Sequence, residues 1–249
     1  MAGYFNKYYL HQRFFPGFIS IFINPFFFIR KRLVEKIRLL APELHGKLLD
    51  FGCGAKPYRL LFSNTNEYIG VDIENEGHDH CGEQIDVYYD GKHLPFGDES
   101  FDAILTSEVL EHVPELNECI QELYWVLKPG GRILITVPFV WQEHELPFDF
   151  RRFSVTGIKK QLTDNGFKIL VEERTGHFLE VVIQLWMTYL RRLFYVNNKY
   201  VNLALNCIFI SPACITGLFF SWIFPPKKDL YFNAVILAEK MHSAVSDNI

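Results

Sequence analysis

The chain has 249 residues, 49% of them hydrophobic, which is enough to bury the core of one sizeable domain. Its 25 Lys and Arg residues are nearly balanced by 29 Asp and Glu residues, which argues against a surface built mainly to bind nucleic acid. The five cysteines are dispersed without a CxxC pair, a pattern typical of reduced thiols in the cytosol. The N-terminus lacks the residue order of a secretory signal, so we expect the catalytic part to face the cytosol.

Residues 1–30 stand apart as an aromatic N-terminal arm. The stretch 14–29 carries no charge, and three basic residues follow it directly. It is short for a membrane span, and Pro16 and Pro25 interrupt it. We therefore expect the arm to contact a membrane surface without crossing the membrane.

Strand and helix patterns alternate from residue 31 to residue 176. Apolar residues at helical spacing predict a helix around 33–40, and Ser154 or Thr156 can cap another that ends at Asn165. The predicted strands are 47–51, 68–73, 84–89, 101–106, 132–137 and 168–173, with a helical stretch after the fourth that reaches Leu127 and a turn at 128–131. Strands separated by helices predict an α/β fold with a largely parallel, doubly wound sheet.

An apolar, helix-like insertion at 177–229 precedes a final strand predicted at 230–240. Its stretch 201–224 carries no charge and is long enough for a transmembrane helix. A single crossing is not expected, because the final strand must return to the same sheet. Pro212 predicts a break that gives a helical hairpin on one membrane leaflet, and Arg191-Arg192 predicts an interfacial helix before it. The alternative is a soluble helical lid over a substrate pocket.

Two glycines follow the first strand directly. Gly52 and Gly54 form a turn where the absence of side chains lets the backbone approach a ligand. Asp72 ends the second strand, where a carboxylate can accept hydrogen bonds from both hydroxyls of a ribose. Pro57 stands where a dinucleotide fingerprint has its third glycine, so the loop is poorly suited to a pyrophosphate.

Four motifs in this order resemble the successive motifs of class I S-adenosylmethionine-dependent methyltransferases of type 11. They are LLDFGCGAKPY, GVDIE, DGKHLPFGDESFDAILTSEVLEHV and LKPGGRILITVPF. The resemblance covers about residues 45–175 and resumes at 230–240. It implies a Rossmann-like, mostly parallel seven-stranded sheet with an antiparallel last strand, formed by 31–176 and 230–249, with the insertion 177–229 before that strand. It also implies S-adenosylmethionine, which has no phosphate, as the cofactor.

The same resemblance implies which residues bind the cofactor. They are Asp50, Gly52, Gly54, Asp72, Ile73, Asp90, Gly91 and Ser107. The glycines after the first strand would line the methionine moiety, Asp72 would hold the ribose, and Asp90 would accept the adenine amino group. Lys56 replaces a residue that is usually small, which leaves the shape of the first loop open.

Methyl transfer requires the protein to align the nucleophile and, for a hydroxyl, to help remove its proton. Glu108, Glu111 and His112 are spaced to share one face of a predicted helix. A later sequence, HELPFDFRRFS, resembles a signature of type 11 relatives from bacterial surface-polysaccharide gene clusters. The predicted catalytic residues are His112, His144, Asp149 and Arg152. In the alternative interpretation, Asp149 and Arg152 form a structural ion pair.

Metal binding is a further alternative. The set Glu108, Glu111, His112 and His144 resembles the magnesium site of small-RNA 2′-O-methyltransferases and of some quinone O-methyltransferases. Similar residues are widespread in metal-free methyltransferases, so we predict no metal. The stretch 77–81 contains two histidines and a cysteine, and is predicted to be a polar loop.

The resemblance as a whole implies O-methylation of a small or lipid-linked acceptor. A surface-glycan sugar is the first candidate and a quinone-like lipid the second. Alternatives of other classes are a cofactor-binding protein without catalysis and an NAD-dependent oxidoreductase. We expect a cytoplasmic protein at the inner face of the cytoplasmic membrane, without a nucleic-acid partner.

Overall fold

The computed structural model describes residues 2–73 and 85–241, with side chains from residue 8 onward. The chain forms two compact units. We call Met1–Lys36 with Arg174–Asn233 the helical unit, and Ile37–Glu173 with Ala234–Ile249 the sheet unit. The predicted loop at 77–81 lies outside the described residues.

Seven strands of the described residues form one sheet, in the order β3-β2-β1-β4-β5-β7-β6. They are β1 (Gly46–Phe51), β2 (Thr65–Ile73), β3 (Val87–Tyr89), β4 (Phe101–Ser107), β5 (Leu127–Pro138), β6 (Phe167–Arg174) and β7 (Asn233–Lys240). Strands β1 to β5 pair in parallel, and β7, the last strand of the chain, is antiparallel, which confirms the predicted fold. Leu48 and Leu49 of β1 are fully buried, as expected for a central parallel strand.

The helices of the described residues are α1 (Ala2–Phe14), α2 (Ser20–Ile23), α3 (Phe27–Leu40), α4 (Leu116–Val126), α5 (Val155–Asp164), α6 (Phe178–Phe194), α7 (Lys199–Leu205) and α8 (Ser211–Ile223). The hydroxyl of Ser154 accepts a hydrogen bond from the Gly157 amide, which confirms Ser154 as the cap of α5.

The helix predicted directly after β4 is wrong in its first part, because α4 begins only at Leu116. Glu108 has a φ of +58°, which a helix does not allow, and Pro114 disfavours helical backbone at the residue before it. The carbonyl of Glu111 accepts from the Phe150 amide, and Arg151 donates to the carbonyls of Val113 and Pro114. Contacts from a distant loop therefore hold this segment as a turn.

The turn predicted at 128–131 lies inside β5. Phe101 pairs with Leu127 and Ala103 pairs with Arg132, so the extra residues on β5 form an irregular bulge. Gly130, with a φ of +75°, supplies the left-handed conformation that this bulge contains.

A long apolar helix and α6 form an antiparallel hairpin in the helical unit. A π-helical turn at Asn206–Ile210 joins α7 to α8, so the helix is continuous from Lys199 to Ile223. The rings of Phe194 and Phe209 stack with centroids 4.2 Å apart. The break predicted at Pro212 is wrong, since the hairpin turns at 195–198 instead.

Pro212 is tolerated because it stands in the first turn of α8, directly after the π-helical turn. The π-helical turn ends two residues before the proline, and the Ser211 hydroxyl donates to the Asn206 carbonyl at 3.0 Å. The Thr216 hydroxyl donates to the carbonyl of Pro212 itself at 2.7 Å. A proline in the first turn of a helical segment needs no amide hydrogen, so the helix continues through Pro212.

Candidate active site

The parallel register brings the carboxyl ends of β1, β2, β4 and β5 to one edge of the sheet. Phe51 pairs with Val71 on one side and with Thr106 on the other. Ser107 pairs with Thr136 of β5. Open α/β sheets bind ligands at this edge, so the predicted cofactor residues lie where the fold class expects them.

The loop after β1 depends on glycine. Gly52 and Gly54 have φ values of +69° and +44°. A Cβ on Gly52 would lie 2.4 Å from Cγ2 of Val109, so no side chain fits there. The amides of Gly52 and Cys53 both donate to the Val71 carbonyl, which holds the loop against β2.

Asp72 is tied to this loop through both carboxylate oxygens. Oδ2 accepts from the Gly54 amide and Oδ1 from the Ile73 amide, each at 2.8 Å. A carboxylate has about four acceptor positions, so each oxygen keeps one for a ribose hydroxyl. The structure therefore joins the glycine loop and the predicted ribose carboxylate in one rigid unit.

Asp50 lies beneath the loop and is buried. Its Oδ2 accepts a hydrogen bond of 2.6 Å from the Tyr68 hydroxyl. Burial raises the pKa of Asp50 to about 7, although the Tyr68 hydrogen bond opposes the shift. This environment fits the predicted supporting role of Asp50, and its partner Tyr68 was not identified from the sequence.

Lys56, at the end of this loop, has a φ of +50° and a buried side chain. Its ammonium group forms an ion pair with Asp86, and that carboxylate also accepts from the Gly70 amide. A Cβ on Gly70 would lie 2.2 Å from Cε of Lys56, so the lysine stem packs over this glycine. The residue that departs from the family pattern therefore fastens the loop to β2.

The predicted adenine side contains Ile73, Asp90 and Gly91. Gly91 has a φ of +82°, and a Cβ there would lie 3.8 Å from Cγ2 of Ile73. Oδ1 of Asp90 accepts from the amides of Lys92 and His93, which lowers the pKa of this exposed carboxyl. Its Oδ2 remains for the predicted adenine amino group.

Ser107 belongs to a chain of hydroxyl groups at the end of β4. The Thr136 hydroxyl donates to Glu108 Oε1 at 2.8 Å, and Ser107 Oγ lies 2.9 Å from Thr136 Oγ1. Because Thr136 has one hydroxyl hydrogen, Ser107 donates its own to Thr136. The Ser107 oxygen then presents only lone pairs, which is favourable near a sulfonium.

Glu111 is fully buried beside this chain. Neither of its carboxylate oxygens has a hydrogen-bond partner among the described residues. Burial, reinforced by the charge of Glu108, raises the pKa of Glu111 well above its ordinary value. Buried polar atoms normally have partners, so this carboxyl marks a place for a bound polar group.

His112 is held in one tautomer by its surroundings. Its Nδ1 lies 3.0 Å from the Phe148 carbonyl, which can only accept, so Nδ1 carries the hydrogen. Nε2 then has a free lone pair and lies 3.7 Å from carboxylate oxygens of Glu111 and Glu145. Burial lowers the pKa of His112, which favours the neutral ring needed to accept a proton.

His144 lies edge-on to His112, with ring centroids 4.8 Å apart. Its backbone amide donates to Asp149, and its Nδ1 lies 3.3 Å from the same carboxylate. Asp149 and Arg152 form a bidentate ion pair, and hydrogen bonding from Arg152 lowers the pKa of Asp149. Arg152 also donates to the carbonyls of Trp141 and Gln142, so the pair shapes the loop that carries His144.

Ligand atoms of Glu111, His112 and His144 all lie within 4.8 Å of one another. A carboxylate and two imidazoles are suitable ligands for a transition metal, so these three residues could hold one. The absence of a metal stays a prediction. The set considered from the sequence also included Glu108, which is not part of this group, and the predicted helix face of Glu108, Glu111 and His112 does not form.

Comparisons with known proteins follow the same motifs. The family model described as a methyltransferase domain, of type 11, matches residues 49–135. An uncharacterised protein of Methanocaldococcus jannaschii is 28% identical over 178 residues, 69% of this chain and 76% of that protein. The ubiquinone/menaquinone biosynthesis C-methyltransferase of Bartonella tribocorum is 30% identical over 108 residues, 35% of this chain and 42% of that enzyme.

Among solved structures, phosphoethanolamine N-methyltransferase 2 of Haemonchus contortus in complex with S-adenosyl-L-methionine shares the fold. The TM-score is 0.52 at 18% identity, over 90% of this chain and 56% of that one. The side-chain-free loop at Gly52 and Gly54 and the carboxylate of Asp72 fit a nucleoside with an amino-acid tail. The chain therefore carries a class I S-adenosylmethionine-dependent methyltransferase domain, with S-adenosylmethionine as its cofactor.

Proposed function

We propose that this protein methylates an oxygen atom of a lipid-linked acceptor at the inner face of the cytoplasmic membrane. The observation that carries the proposal is the surface of the helical unit, which combines positive charge with exposed apolar side chains. A surface-glycan sugar on a lipid carrier is the first candidate acceptor and a quinone-like lipid the second.

The charge of the chain is divided unequally. The helical unit contains 12 Lys and Arg residues and 3 Asp and Glu residues, a formal charge of +9. The sheet unit contains 13 Lys and Arg residues and 26 Asp and Glu residues, a formal charge of −13. Anionic lipids attract basic segments by about 1 kcal/mol per Lys or Arg near the surface, so this division supports attachment through the helical unit.

Large apolar side chains of the same unit are exposed. Trp222 is 83% exposed and Phe18 78% exposed, and both are costly to leave in water. The helix Lys199–Ile223 is long and apolar enough to cross a membrane, and only 22% of its most apolar stretch is buried. An exposed apolar surface of this kind requires a cover, and the adjacent cations favour lipid.

The chemistry proposed for the sheet unit is proton removal from a hydroxyl. Bound S-adenosylmethionine supplies a methyl group already activated by the positive sulfur. Neutral His112 would accept the acceptor's proton at Nε2, which its Nδ1 contact with Phe148 leaves free. Asp149 and Arg152 act as positioning residues for His144. The buried Glu111 would orient the acceptor hydroxyl by hydrogen bonding.

The candidate acceptors have different support. The relative from Bartonella tribocorum is named for ubiquinone and menaquinone biosynthesis, which supports a quinone-like lipid. The HELPFDFRRFS segment resembles relatives from surface-polysaccharide clusters, which supports a glycan. Deprotonation by His112 fits a hydroxyl in either case.

The proposal is tested by incubating the full-length protein with native membranes and S-adenosylmethionine carrying a labelled methyl group. We expect the label to enter the organic-solvent extract as a methyl ether, and Asp72→Ala to reduce it. Label only in water-soluble products would contradict a lipid-linked acceptor. Label on carbon would contradict O-methylation.

A further inference from the structure

A cavity of about 720 Å³ lies inside the helical unit, where the α6 end and α7 meet the chain near α2. This volume is typical of small-molecule sites. Its walls are mainly apolar and aromatic, and include Ile23, Leu190, Phe194, Leu203, Phe209 and Ile210. Such a lining favours an acyl or prenyl chain over a nucleotide or a free sugar.

The connection between α6 and α7 contributes to the cavity and is fixed by two asparagines. Asn198 caps α7 by accepting from the amides of Tyr200 and Val201. Asn202 accepts from the Val196 amide at 3.0 Å and donates to its carbonyl at 2.6 Å. The cavity is therefore preformed, which reduces the entropy lost on binding.

Cations and tyrosines lie at the same cavity. Arg191 and Lys199 line it, together with Tyr9, Tyr195 and Tyr200. Tyrosines are enriched at the boundary between hydrocarbon and water, where one end of the side chain is apolar and the other is hydrated. The cavity therefore offers an apolar wall and positive charge together, which complement the apolar chain and the negative headgroup of an anionic amphiphile.

Two further arginines, Arg13 and Arg30, are close enough for the charges of Arg30 and Arg191 to act on Arg13, although neither Arg13 nor Arg30 lines the cavity. The Arg191 guanidinium lies 4.8 Å from the ring centre of Phe26, and Arg30 lies 5.1 Å from that of Phe14. Desolvation and the neighbouring charges of Arg30 and Arg191 lower the pKa of Arg13. None of these three arginines has a carboxylate within ion-pair distance in the described part of the chain. Like charges held together without a counter-charge favour a bound anion.

We propose that this cavity binds one anionic phospholipid, with the acyl chain against the apolar wall and the phosphate at Arg191 and Lys199, which line the cavity. Guanidinium groups match the geometry of phosphate oxygens, and the positive charge of the lining favours a headgroup with a net negative charge over a zwitterionic choline headgroup or an uncharged sugar. The inference rests on the proposed attachment to lipid and names the class of lipid that is bound specifically.

The test is native mass spectrometry of the full-length protein in a neutral detergent with phosphatidylglycerol or phosphatidylcholine. We expect a one-to-one complex with phosphatidylglycerol that survives where the phosphatidylcholine complex does not. Arg191→Ala should weaken it by about tenfold or more, the usual effect of removing a hydrogen bond to a charged group. Arg192→Ala is the matched control, since Arg192 is the next residue of α6 and does not line the cavity.

A second variant tests the apolar wall while keeping every charge. Leu203→Trp should fill part of the cavity and lower retention of phosphatidylglycerol, with thermal unfolding measured to show that the protein remains folded. Equal losses in the Arg191 and Arg192 variants would overturn the proposal, since surface charge alone would explain binding. Inorganic phosphate displacing the lipid at equal concentration would show an anion site without lipid recognition, and would overturn it too.

Failure of this inference is distinguishable from failure of the proposed function. Label transferred to a membrane lipid by a protein that binds no phosphatidylglycerol would leave the methyltransferase proposal standing and remove the cavity proposal. A specific phosphatidylglycerol complex formed by a protein that methylates no lipid would leave the cavity proposal standing and remove the proposal of lipid methylation.

Discussion

At the scale of single residues, the cofactor edge is organised by Asp72 and the two glycines before it. Each carboxylate oxygen of Asp72 accepts a hydrogen bond from a backbone amide and is also predicted to accept one from a ribose hydroxyl. If Asp72 binds the ribose as predicted, an amide at this position would be a poor substitute for the carboxylate. Two acceptors must each take a backbone hydrogen and keep a lone pair for the ligand.

Asp72→Ala should weaken S-adenosylmethionine binding by about 1.5–3 kcal/mol, the range for hydrogen bonds to a charged group. Isothermal calorimetry on the full-length protein measures the change, and Asp164→Ala on exposed α5 serves as the control. Unchanged affinity in the Asp72 variant, or tight NAD binding by the parent protein, would refute the assignment of the site.

His112 gives a prediction about pH. Burial lowers its pKa from the ordinary value of about 6.5, so the neutral, proton-accepting form persists below that pH. Turnover should be constant at neutral pH and fall only as the pH drops through the lowered value. His112→Gln should reduce turnover by about 10² or more while cofactor affinity stays constant.

The matched control for His112 is His45→Gln, which changes an exposed histidine of the same unit. The labelled-membrane assay reports turnover for each variant. Full activity in both His112→Gln and His144→Gln would mean that alignment alone, without a histidine base, accounts for the reaction.

At the scale of elements, the strands and the mostly parallel sheet were predictable, because short apolar runs bounded by glycines and charges indicate strands and helical stretches separate them, but the strand order in the sheet was not predicted. The stretch KLLDF became β1, and Ser154 capped α5 as its sequence indicates. The segment 108–115 was not predictable, since its turn depends on hydrogen bonds from Phe150 and Arg151 far along the chain. The hydrogen bond from Tyr68 to Asp50 could not be predicted either, because it depends on the pairing register of β1 and β2.

The long apolar helix Lys199–Ile223 is a second feature that could not be predicted from the sequence pattern alone. A proline normally ends or kinks a helix, and Pro212 does not because a π-helical turn ends two residues before it and leaves it in the first turn of α8. Close packing of α8 against α6 and α3 depends on Gly217. A Cβ at Gly217 would lie 2.8 Å from both Ile183 and Phe28.

Gly217→Ala should therefore destabilise the protein by about 1–3 kcal/mol through overpacking, although alanine is the better helix former by about 1 kcal/mol. Ile215→Ala on the exposed face of the same helix is the control, and should change stability little. Thermal unfolding in a neutral detergent measures both. A stabilised Gly217 variant would show that the helix does not pack as described.

At the scale of the whole molecule, one chain contains a methyltransferase domain and a basic helical unit with exposed apolar side chains. The net charge of −4 hides this division, because the formal charges of +9 and −13 nearly cancel. The composition therefore showed only a nearly balanced charge. The two units separate a net positive charge from a net negative one, and the proposed attachment to a membrane depends on this separation.

Flotation of the detergent-free, full-length protein with vesicles tests this central claim most directly. We predict that the protein floats with vesicles containing phosphatidylglycerol, and that high salt weakens the binding without abolishing it, because apolar burial persists when charges are screened. Vesicles of phosphatidylcholine should retain less protein. A protein that stays monodisperse in buffer, binds S-adenosylmethionine and ignores both kinds of vesicle would contradict the account, and the helical unit would then be a soluble lid.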